Sequence, residues 1–138
     1  MKHEITFTCE KSRLADLRIF LNKVLTKTTL SEITKNQVIL AVDEVCSNLI
    51  IHSHGCNPKD QISLEVTHAG NQIIFEIKDN GKGFNILEYK QPELDSVKKE
   101  RRKGGLGIML VRKIMDNIEF ESSGNQNTCR LIKLINSK

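Results

Sequence analysis

AVDEVCSNLIIH, Ala41 to His52, continues a run in which Val38, Val42, Val45 and Leu49 recur at the spacing of a helix with one buried face. Glu44 and Asn48 stand four apart within it, so both lie on one face, displaced from that apolar stripe. Two polar groups are thereby aimed together. Taken alone, a solvated Glu and a mid-helix Asn account for such a pair better than chemistry does. Thr34 followed by Gln37 has the form of a capping box at the helix start. His54-Gly55-Cys56-Asn57-Pro58 ends the helix, because Gly and Pro continue one only at a cost.

Upstream, Ile5 and Phe7 alternate with polar residues as an opening strand, and Ser12 is placed to cap a helix whose apolar face is Leu14, Leu17, Leu21, Val24 and Leu25. Downstream, Ile62, Leu64 and Val66, then Ile73, Phe75 and Ile77, alternate about the turn His68-Ala69-Gly70-Asn71, which predicts a β-hairpin. From Asp79 to Gly107 the chain is polar and carries Gly81, Gly83, Gly104, Gly105 and Gly107, the pattern of a long functional loop. Ile108, Met109, Val111, Ile114 and Met115 predict a helix from about Ile108. Ile118 to Glu121 and Thr128 to Ile135 flank the turn 123–127 as a closing hairpin. The order predicts an α+β domain, an antiparallel or mixed sheet covered by helices on one face.

At 138 residues the chain is expected to form a single domain, 1–138. Apolar residues at 38% and charged residues at 28% argue against disorder of the whole chain. Lys and Arg exceed Asp and Glu by 21 to 17, and the run Lys98, Lys99, Glu100, Arg101, Arg102, Lys103 carries the same net +4 by itself. The remainder is neutral, which disfavours a nucleic-acid face and suits either a solvated basic loop or one that meets a small anion or acidic partner. One Tyr, five Phe and no Trp leave few stacking platforms for single strands. The N-terminus lacks the apolar stretch of a signal peptide and no window reaches the length of a membrane span, so a cytoplasmic location is expected. Cys9, Cys46, Cys56 and Cys129 are too scattered for a disulfide framework or zinc ribbon, and His52, His54 and Cys56 lack a fourth metal ligand.

Two glycine clusters carry further chemistry. DNGKGF, Asp79 to Phe84, follows an apolar strand and sets a carboxylate at its end, where the glycines allow close approach of a ligand and the carboxylate can read an exocyclic amine. A plain Asp-Asn-Gly turn is the alternative, although no strand follows it directly. Gly104-Gly105-Leu106-Gly107 opens the next helix, where free backbone N–H groups and the helix dipole favour an anion. It is neither a dinucleotide fingerprint nor a P-loop.

Helix with Glu-x-x-x-Asn, strand end with Asp-x-Gly-x-Gly, glycine-rich helix start and a late-strand Thr come in an order that resembles the GHKL (Bergerat-fold) ATPase superfamily, and within it the small anti-sigma-factor serine/threonine protein kinases. The resemblance runs from about Ile5 to Ile135. It implies a two-layer α/β sandwich of the histidine-kinase-like ATPase type, with a mixed, mostly antiparallel sheet, helices on one face and a lid loop at about 85–104. ATP and Mg²⁺ are the implied cofactors. By that match Glu44 is the general base, Asn48 the Mg²⁺ ligand, and Asp79 the acceptor of the adenine amine, with Gly81 and Gly83 the first glycine box. Gly104, Gly105, Leu106 and Gly107 form the second box, which holds the phosphates, and Thr128 supports the adenine pocket.

The implied activity is an ATP-dependent protein kinase that acts as an anti-sigma factor and phosphorylates a Ser or Thr of an anti-anti-sigma partner of the STAS fold. The competing partner is a sigma factor or another regulator, and the implied assembly is a homodimer. A non-catalytic ATP-dependent module that sequesters a regulator is the alternative, and Glu44 favours the kinase because binding alone needs no base. The ATP-binding part of a histidine kinase is not supported, because no helical hairpin with a phosphoacceptor His precedes it. Gly104 stands where such kinases often carry Arg, a function that Arg101, Arg102 or Lys103 can supply from the lid.

Overall fold

The computed structural model describes residues 2–80, 103–124 and 126–135, and only the backbone for 52, 53 and 103–108. The elements run β1 (Lys2–Thr8), α1 (Arg13–Leu25), α2 (Glu32–Asn48), β2 (Gln61–Ala69), β3 (Gln72–Asp79), α3 (Lys103–Ile114), β4 (Asn117–Ser123) and β5 (Gln126–Leu134). The strands form one sheet in the order β1-β2-β3-β5-β4, and each described pairing is antiparallel. The α+β class with helices over one face is thus observed.

Alternation along the strands makes the two layers. Ile62, Leu64 and Val66 of β2 and Ile73, Phe75 and Ile77 of β3 are buried, while the residues between them are only half-buried. Leu17, Leu21 and Leu25 of α1 and Val38, Ala41, Val42 and Val45 of α2 complete the core with Leu131 and Val111. Each fully buried aliphatic side chain contributes roughly 1.5–3 kcal/mol. On the outer face Arg130 of β5 pairs with Glu76 at 2.7 Å and with Glu121 at 2.6 Å. Arg18 and Asp43 tie α1 to α2 at 3.0 Å.

Helix boundaries depart from the sequence reading at three points. Ser12 precedes α1 but has helical φ and ψ of −63° and −22° and makes no side-chain capping bond. Ser31, not Thr34, caps α2: its backbone is extended and its hydroxyl accepts from the Thr34 N–H at 3.2 Å. The third helix begins at Lys103 instead of near Ile108, so the second glycine cluster is already helical. At the other end of α3, Lys133 Nζ donates to the Ile114 carbonyl at 2.8 Å, a cation placed at the negative end of the helix dipole. The β2–β3 turn needs only two residues, and Gly70 at φ +63° supplies the left-handed geometry.

Past Asn48, α2 runs into one turn of wider π-type helix, Leu49–Ser53. Such turns recur at functional sites because they re-aim the chain without ending the helix. Gly55 and Cys56, at φ +55° and +58°, then reverse it. A left-handed conformation is unfavourable for Cys56, which carries a Cβ, and persists only where neighbours impose it.

Candidate active site

α2 brings Glu44 and Asn48 to one face, as their spacing predicts. Asn48 is buried, 5% exposed, and its Nδ2 donates to the Glu44 carbonyl at 2.8 Å. That bond orients the amide, leaving Oδ1 as its acceptor end. An amide oxygen is a donor suited to Mg²⁺, which binds hard oxygens and completes its shell from water and phosphate. Glu44 is half-buried one turn earlier.

Asp79 ends β3. Its side chain is only 3% exposed, so this strand-end carboxylate is buried within the protein. Its partner is His54, whose Nε2 lies 2.7 Å from Asp79 Oδ2, while Nδ1 lies 2.9 Å from Asp60 Oδ2. Burial pulls the His54 pKa down, but the bonds to Asp60 and Asp79 outweigh it and the net shift is upward from 6.5. Asp60 is itself held by its backbone: Cys9 N–H donates to its carbonyl at 2.9 Å, and its own N–H donates to Asn57 O at 3.1 Å.

His54 and Asp60 are the two residues that the sequence reading did not place in the site. Both ring nitrogens of His54 are engaged by Asp60 and Asp79, and the side chain of His52 lies outside the described residues. A signal for Asp60 was present: pairing the hairpin sets Ile62 opposite Asp79, so the residue two before Ile62 lies beside the end of β3. The cysteines are free thiols. Burial, reinforced by Asp60, Asp79 and Cys56, pushes the Cys9 thiol up to about 11, and burial with Asp79 pushes Cys129 to about 12. Both stay protonated near neutrality.

Thr128 does not join Asp79. The register sets Thr128 opposite Lys78 and Asn127 opposite Asp79. Adjacent strand residues face opposite sides, so Asn127, Cys129 and Leu131 share the face of Asp79, while Thr128 shares that of Glu76 and Arg130. Asn127 is buried and accepts from the Ser122 hydroxyl at 2.8 Å. On β5 the residues that share the face of Asp79 are therefore an amide and a thiol, while Thr128, also buried, lies on the opposite face.

Gly104, Gly105, Leu106 and Gly107 lie in the first turns of α3. The N–H groups of Lys103, Gly104 and Gly105, at the helix start, have no acceptor four residues back within the helix and suit a phosphate. Gly81, Gly83 and the basic residues 98–102 lie outside the described residues. Among the described residues, no helix is long and apolar enough to cross a membrane.

An antiparallel sheet under three described helices, with Glu44 and Asn48 on one face of α2 and a buried aspartate at the end of β3, is the arrangement of a nucleotide-binding domain of the histidine-kinase type. The family described as histidine kinase-like ATPase domain matches residues 7–133, nearly the whole chain. The chain belongs to that family, and within it to the anti-sigma-factor kinases of the GHKL superfamily. ATP binding follows from that membership. It is 30% identical over 105 residues to the anti-sigma F factor of Clostridium perfringens (strain SM101 / Type A), covering 76% of this chain and 74% of that one. To the anti-sigma F factor of Anoxybacillus flavithermus it is 32% identical over 101 residues, with 72% and 67% covered. The fold is shared with the RsbU and RsbW domains of a Mycobacterium tuberculosis protein, at a TM-score of 0.68 and 13% identity, over 97% of this chain and 32% of that one. It is shared also with a chain of the SiaB-SiaC complex from Pseudomonas aeruginosa, at a TM-score of 0.64 and 11% identity, over 96% and 89%.

Proposed function

We propose that the chain is an ATP-dependent serine/threonine protein kinase that acts as an anti-sigma factor in a partner switch, phosphorylating an anti-anti-sigma protein of the STAS fold. The observation that carries this reading is the pairing on α2. Asn48 is oriented by the Glu44 carbonyl, and the Glu44 carboxyl lies one helical turn away on the same face. A pocket built only to hold ATP has no use for a carboxylate there. The relatives named as anti-sigma F factors support a sigma factor as the competing partner.

Phosphoryl transfer is achieved mainly by positioning and by neutralising charge. Asn48 Oδ1 would be the protein ligand of Mg²⁺, which when bound neutralises charge on the phosphates. The helix start at Lys103 to Gly105 would hold phosphate oxygens by its N–H groups, and Asp79 would accept from the adenine amine. Glu44 would take the proton of the incoming hydroxyl. The protein would work in the cytoplasm as a homodimer with its partners, and the net positive charge of the run 98–103 would favour a polyanionic ligand.

Incubation of the purified chain with radiolabelled ATP, Mg²⁺ and candidate STAS proteins from the same organism tests the reading. Label on a Ser or Thr of one partner is expected. Tight binding of a sigma factor and ATP without label on any partner would establish the non-catalytic module instead.

A further inference from the structure

His54 stands outside the roles just assigned, yet it is the residue most tightly bound to one of them. Its ring is 3% exposed and bridges two carboxylates, Asp79 at 2.7 Å and Asp60 at 2.9 Å. We propose that His54 is a positioning residue of the nucleotide pocket: carrying its proton, it clamps the Asp79 carboxylate in the orientation that reads adenine. This rests on the reading of Asp79 as the adenine acceptor.

A neutral imidazole has one N–H, so it can donate to only one of two flanking carboxylates and turns a lone pair on the other. The imidazolium donates to both. Two contacts below 3 Å therefore select the charged ring, and the upward pKa shift of His54 agrees. The bond to Oδ2 fixes the plane of the Asp79 carboxylate. The clamp is built from both sides: the π-type turn and the left-handed pair Gly55 and Cys56 place the ring, and the backbone bonds of Asp60 place its second anchor.

The neighbouring titratable groups are thiols. Around the two aspartates they are Cys9 from the end of β1, Cys56 from the same turn as His54, and Cys129 from β5. The Cys9 and Cys129 thiols are pushed up to about 11 and about 12, so they do not ionise there. Loss of the His54 proton turns one of its two carboxylate contacts repulsive and loosens the orientation of Asp79. Adenine nucleotide affinity should then fall as pH rises through the His54 titration.

The test pairs two readouts. Nitrogen-edited NMR of the His54 ring in the nucleotide-free protein gives its midpoint, expected above 6.5 and lower in Asp60→Asn. Calorimetry with ATP and Mg²⁺ from pH 6 to 9 should show affinity falling about tenfold, with the same midpoint. In Asp60→Asn, a half-exposed position, that midpoint should move down with the ring's. His54→Gln can still donate to Asp79 but cannot titrate, so its profile should keep only the slope of ATP itself. A wild-type profile that matches His54→Gln while the ring titrates in range overturns the clamp and leaves the kinase reading standing. Absence of ATP binding at every pH overturns both, and the ring titration distinguishes that result from a misfolded sample.

Discussion

Asn48 Nδ2 donates to the carbonyl of Glu44 across 2.8 Å, so the residue proposed to hold the metal is oriented by the backbone of the residue proposed as base. The two can nevertheless be separated, because the bond uses the Glu44 carbonyl and leaves its carboxyl out. Glu44→Gln keeps size and hydrogen-bonding capacity and should slow partner phosphorylation by roughly 10² or more with ATP affinity little changed. Asn48→Ala should weaken Mg²⁺-dependent ATP binding and phosphorylation together. Single-turnover transfer with labelled ATP, set beside calorimetry, checks both; a wild-type rate in Glu44→Gln would remove the general base.

Register gives a second prediction. Thr128 lies opposite Lys78 and on its face of the sheet, buried at 6% exposure, whereas Asn127 lies opposite Asp79. Thr128→Val should therefore leave the ATP dissociation constant within about twofold, since it deletes a hydroxyl without leaving a buried charge unpaired. Asn127→Ala, which also breaks the bond to Ser122, should raise it by about tenfold, a loss of the size expected for one buried hydrogen bond. Isothermal calorimetry on the two variants decides it: a large loss confined to Thr128→Val would mean that this placement does not hold when nucleotide is bound.

Helix capping supplies a third, independent of function. Ser31→Ala removes the acceptor of the Thr34 N–H and should cost about 1 kcal/mol in unfolding free energy. Ser12→Ala removes no capping bond and should stay within about 0.5 kcal/mol of wild type. Urea denaturation of both proteins measures the difference; equal losses would place a cap at Ser12 after all.

What could be read from the sequence divides along physical lines. The stripe of Val38, Val42, Val45 and Leu49 and the alternation of Ile62 to Val66 and Ile73 to Ile77 are periodic burial, a signal that local sequence carries directly. The start of α3 is not, because glycine disfavours helix by about 1 kcal/mol and local preference sets the boundary at Ile108; the structure continues the helix back through three glycines to Lys103. Thr128 shows a different limit, since a motif match fixes a residue's neighbourhood but a shift of one position along a strand reverses its face. His54 and Asp79 are 25 positions apart, and their contact exists only once the π-type turn and the β2–β3 register are both in place.

The last prediction concerns that pair and stability. The folded-state pKa of His54 is raised, so the stability it contributes is fully present below the unfolded value of about 6.5 and is lost as pH rises through the folded value. Asp79→Asn removes one of the two carboxylates responsible. Its destabilisation should be greatest at pH 5.5 to 6.5, on the order of 2 kcal/mol for a hydrogen bond to a charged group, because a buried imidazolium then faces a neutral amide. Above the folded midpoint the ring is neutral in both proteins and the gap should narrow, since the amide oxygen still accepts from Nε2–H. Unfolding free energies of both proteins measured from pH 5.5 to 9 test this. A gap independent of pH would mean that His54 is neutral in the folded protein and that the contact with Asp79 is an ordinary hydrogen bond.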